Sequence, residues 1–201
     1  MANQDAAFGL RPFSKIDGSS LGNLVQEVYL PSSYATAVFV GTAVKRAADS
    51  NAAAVTGFIG GDRSAGTIPE VTLSAAGESI DYVITGFVPT ADDGMGTADG
   101  AASTERIAIA IPVKDVIFEI QSSGSSFTVT DMHNAADLAS TGGNATSGIS
   151  TSELDTTYGT TGQLTVVGIS KDPNNEDIAS ANVNLLVTVR ESNLFAAVAA
   201  L

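Results

Sequence analysis

The sequence predicts an all-β chain: a small β-barrel or β-sandwich body, an extended N-terminal arm and long polar loops. Three observations predict this class. Apolar residues recur with period two in short β-branched runs, above all in residues 107–121, where Ile107, Ile109 and Ile111 alternate with alanine. Clusters of Gly, Ser, Thr, Asp and Asn separate the runs, as they do where strands are joined by turns. With 201 residues, 44% of them hydrophobic, the chain is long enough to bury the core of one domain, or of one domain with an appendage.

Residues 1–23 show neither a helical nor a strand period. Their apolar side chains, Phe8, Leu10 and Phe13, sit among Gly, Pro and Ser. Such a segment builds no core of its own, yet disordered tails are poor in Phe and Leu, so these residues should anchor in something. That something is either this same domain or a neighbouring molecule. The expected division is therefore an arm over 1–23 and a β-rich body over 24–201.

Within the body, residues 25–30 alternate weakly and stop at Pro31. Residues 34–44 form an apolar run broken by Gly41, predicted as a buried strand and a turn, and 49–54 read as a turn or short helix. Val55-Thr56-Gly57-Phe58-Ile59 is echoed by Ile84-Thr85-Gly86-Phe87-Val88 and, more loosely, by Val166-Val167-Gly168-Ile169. Glycine inside a strand marks a bulge, a bend or a close backbone approach. The copies are unequally spaced, which excludes a solenoid and fits recurrent bends in a small closed barrel. Residues 60–62 are a predicted turn, 68–73 a strand and 92–100 a loop. Pro112 cannot donate a ladder hydrogen bond, so 107–111 and 116–121 are predicted as two strands meeting at a bend. A further strand is expected over 126–130. Residues 131–163 lose apolar density and read as a long Gly/Ser/Thr-rich loop, with helical turns at 135–138 and 152–154. Strands at 164–169 and 183–189, joined by a turn at 172–177, close the fold. The tail 194–201 is apolar and alanine-rich, either a terminal helical turn or a second contact arm.

Charge narrows the partners. The net charge is −13, which lacks the basic footprint of a nucleic-acid binder and argues against an anionic membrane. It is unevenly spread. Residues 1–46 hold four basic residues (Arg11, Lys15, Lys45, Arg46) and three acidic ones, for +1. The remainder holds five basic and nineteen acidic residues, for −14. There is no cysteine, hence no disulfide or thiolate chemistry. The N-terminus lacks a basic and an apolar signal region, and no apolar run has the length of a transmembrane span, so synthesis in the cytoplasm is expected.

The sequence offers little chemistry. His133 is the only histidine and lies in a polar segment. No nucleophile elbow, phosphate-binding loop or zinc-binding helix motif occurs. Asp92, Asp93 and Asp99, or Asp172, Asn174 and Asp177, could supply oxygen ligands to calcium, but neither set follows the EF-hand spacing, and Asx-rich turns arise for backbone reasons alone. Asn144-Ala145-Thr146 matches a glycosylation acceptor and means little without a secretory signal. No catalytic residue, metal or cofactor is assigned, and the expectation is a protein that is not an enzyme.

The segment Ala2-Asn3-Gln4-Asp5-Ala6-Ala7-Phe8-Gly9-Leu10-Arg11-Pro12 resembles the opening of the small structural proteins encoded beside the major capsid protein in tailed bacteriophages. Further similarity runs through Tyr29-Leu30-Pro31-Ser32-Ser33-Tyr34-Ala35-Thr36-Ala37-Val38-Phe39-Val40-Gly41, then 116–121, then 168–176, in family order. The opening is the most specific of these, and the tail 194–201 is longer than the family leads one to expect. The resemblance implies a head decoration, or cement, protein. It would bind the outer surface of the capsid and stabilise contacts between major capsid protein subunits. It would act with other copies of itself, as trimers at local three-fold positions. On that reading Phe8, Leu10, Arg11, Pro12 and Phe13 form the capsid-binding arm, and neither nucleic acid nor membrane is a partner. The rivals are a phage tail or connector component, a β-sandwich surface adhesin, and a glycan-active enzyme.

Overall fold

The computed structural model describes residues 3–55, 61–89, 99–124, 127–139, 142–173, 175 and 177–194. Among them the chain is built of strands, with two short 3-10 turns, Leu21–Leu24 and Val129–Asp131, as the helical elements. Five strands close a barrel: β2 (Gln26–Leu30), β4 (Ala43–Ser50), β5 (Pro69–Leu73), β6 (Tyr82–Phe87) and β8 (Arg106–Pro112), in the order β2-β5-β4-β6-β8. Closure comes from the antiparallel pairing of β8 with β2, and the β2–β5 pair is parallel. A second sheet has the order β1-β9-β14-β13-β10, from β1 (Arg11–Lys15), β9 (Val116–Gln121), β10 (Ala135–Ala136), β13 (Leu164–Ile169) and β14 (Asn184–Val189). Two small ribbons complete the fold: β3 (Val38–Phe39) with β7 (Asp99–Gly100), and β11 (Gly143–Asn144) with β12 (Ile149–Ser150).

The alternating stretch at 107–121 is the hinge between these two bodies. β8 belongs to the barrel and β9 to the open sheet, and the chain crosses over at Val113, Lys114 and Asp115, just past Pro112. Asp115 adopts φ 60°, a left-handed conformation that Asp tolerates better than most residues, and Val116 N–H closes the turn on Val113 C=O. The faces of β8 run opposite to the intuition that isoleucine points inward. Ala108 and Ala110, fully buried, line the barrel interior with Val28, Val44, Val71 and Ile84. Ile111 points outward and packs between barrel and sheet, while Ile107 packs with Tyr29, Val55 and Ile68. A five-stranded barrel is narrow, so small residues on one strand make room for larger ones on the others.

The main core lies between the bodies. Ala43, Val83 and Ile111 from the outside of the barrel meet Phe118, Ile120, Val166, Leu185 and Val187 from the inner face of the sheet. Buried polar groups tie the two together. The Gln163 amide donates to Ala75 C=O at 2.7 Å and accepts from Leu138 N–H at 3.0 Å. The buried Asp81 carboxylate accepts from Arg46 N–H, Ser192 Oγ and Asn193 N–H at 2.8–2.9 Å.

Both described copies of the glycine echo sit at bulges: the register shifts between Ile84 and Gly86 in β6, and between Val166 and Gly168 in β13. Of the first copy only Val55, bridged to Arg63, is described; residues 56–60, and 92–98 of the predicted loop, lie outside the described residues. Several local expectations are corrected. Residues 34–44 hold a two-residue strand and the start of β4, because Gly41 at φ 90° turns the chain between them. Of the strand expected at 126–130, residue 126 lies outside the described residues, and the chain enters the 3-10 turn Val129–Asp131 instead, since Asp131 accepts the Thr128 N–H and donates its own N–H back to Thr128 C=O. Residues 135–138 are extended, pairing with β13 and bridging Leu138 to Leu154, and so fill the sheet edge that a helical turn would leave open. Leu154 is extended for the same reason. The segment 131–163 carries β10, β11 and β12 and buries Leu138 and Leu154 completely.

A candidate docking face at the N-terminal strand

Residues 3–15 lie along the open sheet and are fastened at each step. Asn3 donates from its amide to Asp177 C=O at 2.9 Å and Ala181 C=O at 3.1 Å. Gln121, buried on β9, accepts from Ala6 N–H at 3.0 Å and donates to Gln4 C=O at 2.9 Å. Gly9 and Gly41 then let two backbones touch. Both have positive φ, and a Cβ on Gly9 would stand 2.4 Å from Gly41 oxygen. That approach sets the bond from Leu10 N–H to Gly41 C=O at 2.8 Å and drives Leu10, with no exposed surface, into the main core.

β1 follows, antiparallel to β9 and at the edge of its sheet. Arg11 pairs with Glu119 and Pro12 with Phe118, after which the register slips so that Ser14 faces Ile117. Phe13 is the extra residue of this bulge, and a bulge re-aims the side chain it carries. Phe13 is 53% exposed and Ile16, just past the strand, 63%. Large apolar side chains exposed on an edge strand and in the turn that follows it are the kind of surface that partner proteins use.

Beside Phe13 runs an open groove of about 550 Å3. It follows a cross-strand row, Arg11–Glu119–Leu186. Phe13 and Ile169 flank the row, and Lys171 and Asp172 stand at its far rim. Arg11 donates from Nε to Glu119 Oε2 at 3.0 Å and also bonds that same oxygen through Nη2. Its guanidinium lies 4.7 Å over the Phe8 ring, a cation–π contact.

The five residues expected in a capsid-binding arm thus divide. Phe13 is half exposed and Arg11 exposed at the surface, Phe8 and Pro12 are half-buried, and Leu10 is inside this chain's own core, unavailable to any partner without unfolding the segment. Three of the four basic residues near the N-terminus have acidic partners within the chain: Arg11 with Glu119, Lys45 with Glu78, and Lys15 with Asp17 at 3.6 Å. Hydrogen bonding from Lys45 holds the Glu78 carboxyl below its ordinary value, and the Ser19 backbone does the same for Asp17. Arg46 is exposed. Sequence reasoning missed Glu119, Ile169 and Leu186. The alternation of 116–121 placed Glu119 on the face opposite Phe118, but which strand lies beside it is a matter of topology.

Elsewhere, His133 is exposed at φ 69°, with its N–H on Val166 C=O. Among the described residues no group of three or more His, Asp or Glu side chains is placed to hold a metal ion; Asp92, Asp93 and Asn174 lie outside them. No helix among the described residues is long and apolar enough to cross a membrane. No protein-family model, curated protein or solved structure matches this chain.

Proposed function

We propose that the protein is a virion structural protein that binds the outer surface of a phage capsid and stabilises contacts between major capsid protein subunits. What carries the reading is the resemblance of residues 2–12, continued in order through 168–176, to phage decoration proteins. The geometry supports it in one respect. The segment with that resemblance leads directly into β1, which sets Phe13 on a sheet edge beside a groove, with Ile16 exposed just past it, on a body tied together by buried hydrogen bonds. A cement protein needs a rigid body and a fixed contact face more than it needs a catalytic group. Binding only the assembled lattice stabilises that lattice by mass action. Many symmetric copies add avidity, so each contact can be modest.

The test is co-sedimentation of the purified chain with phage heads that lack it, compared with unassembled major capsid protein. Saturable binding to heads, with a raised temperature of head disruption, is expected. Absence of head binding at micromolar protein would overturn the reading. Binding to isolated tails or connectors alone would replace it with the rival virion role.

A further inference from the structure

We propose that the groove beside β1 takes a long cationic side chain, arginine or lysine, presented by the partner protein, with Glu119 as the acceptor of its head group. The inference rests on the docking face described above and identifies the chemistry of what enters it. Its central observation is an incomplete carboxylate. The Glu119 side chain is only 3% exposed, and both Arg11 contacts fall on Oε2. Oε1, buried in the groove floor, has no hydrogen-bond partner among the described residues. A buried carboxylate oxygen left without a donor is costly, and an incoming donor removes that cost.

The surroundings select the donor. Phe13, Leu186 and Ile169 offer apolar surface for an aliphatic stem, as long cationic side chains require when their stems are buried. An anion would meet Glu119 below and Asp172 at the rim. Lys171 stands beside Asp172, exposed, so the rim is locally neutral while the whole chain carries −13 and steers basic partners toward itself. Arg11 covers Glu119 from the solvent side with a side chain that is 57% exposed. An entering head group reaches Oε1 by shifting the Arg11 guanidinium over the Phe8 ring, which already lies beneath it. The two cations then share one carboxylate, one on each oxygen.

The experiment titrates the full chain, labelled with nitrogen-15, with the peptide acetyl-Ala-Arg-Ala-amide. Controls carry citrulline, which keeps the shape and loses the charge, or glutamate in place of arginine. The expected result is saturable shifts at the Phe13, Ile169 and Leu186 amides with millimolar arginine peptide, at least fivefold weaker with citrulline and absent with glutamate. Glu119→Gln should abolish the response. Should that variant fail to fold by its melting curve, Phe13→Ala, which alters a half-exposed position, should still weaken the response several-fold. No saturable shift in the native chain, or an equal response to citrulline, overturns the inference, as does an undiminished response in folded Glu119→Gln or in Phe13→Ala. Capsid binding without any peptide response sinks this inference and leaves the proposed function standing. A peptide response without capsid binding does the reverse.

Discussion

Replacing Leu10 by alanine should destabilise the whole fold, although Leu10 lies in a segment whose sequence reads as an arm. Leu10 has no exposed surface and packs in the core that joins barrel and sheet. Truncating a fully buried leucine costs about 2–5 kcal/mol, from lost burial and the cavity left behind. For a domain of this size about 1 kcal/mol shifts the melting temperature by roughly 2–4 °C, so a fall of about 4–20 °C is expected. That is a large part of a total stability of about 5–15 kcal/mol. Phe13→Ala, three residues on, removes a larger side chain that is 53% exposed, and should change stability by less than about 1 kcal/mol. Urea denaturation followed by circular dichroism, with the two variants and the native chain in parallel, gives both numbers. A Leu10→Ala midpoint indistinguishable from the native one would refute the reasoning, because it would mean that residues 3–15 hang free of the body. The same geometry makes deletion of residues 1–23 a poor test of binding. That deletion removes β1 and the Leu10 plug and leaves Glu119 buried without Arg11, so point variants are the cleaner probe.

Three further outcomes are expected. Arg11→Ala should destabilise the chain by about 1–3 kcal/mol, less than a fully buried pair because Arg11 is half in solvent, while Arg11→Met combined with Glu119→Leu should recover most of the loss; equal melting temperatures for the native chain and Arg11→Ala would count against the pairing. Tyr29 is pushed up to about 12, first by burial and then by its 2.6 Å hydrogen bond to Glu105, so the folded state favours the neutral phenol; that stability is fully present below pH 10 and is lost as pH rises through about 12, a slope that ultraviolet titration and Tyr29→Phe should reveal and that an unshifted phenol would lack. On capsids, 1 M NaCl should release little protein, since apolar contact is not screened and three of the four N-terminal cations are paired within the chain, whereas Phe8→Ala with Phe13→Ala should release most of it; complete stripping by salt with the double variant still bound would reverse the assignment.

Strand identity was legible wherever alternation, β-branching and turn residues agreed. β9, β13 and β14 fall within a residue of their expected bounds, and Pro112 marks the bend between β8 and β9. The glycine echoes gave two bulges, because only glycine leaves a strand so little to pack. Two kinds of information were not legible. The first is which face of a strand points where: Ala108 and Ala110 line the barrel because its bore is narrow, which no count of neighbours along the chain reveals. The second is partnership across long separations. Nothing near Leu10 announces Gly41, and nothing near Arg11 announces Glu119, so the segment 1–23 reads as an arm until β9 is beside it. The candidate site was half visible. Phe8, Arg11 and Phe13 stand out from the sequence, but the groove needs Leu186 and Ile169, which β14 and β13 bring from the far end of the chain.

The most direct test of the decoration reading is a reconstruction of phage heads incubated with this chain, compared with heads without it. The account predicts added density on the outer surface, over the junctions between capsid subunits, with the β1 edge and its groove turned toward the shell; by family resemblance the copies should cluster in threes at local three-fold positions. A shell identical with and without the protein, or added density confined to the tail or the connector, would contradict it.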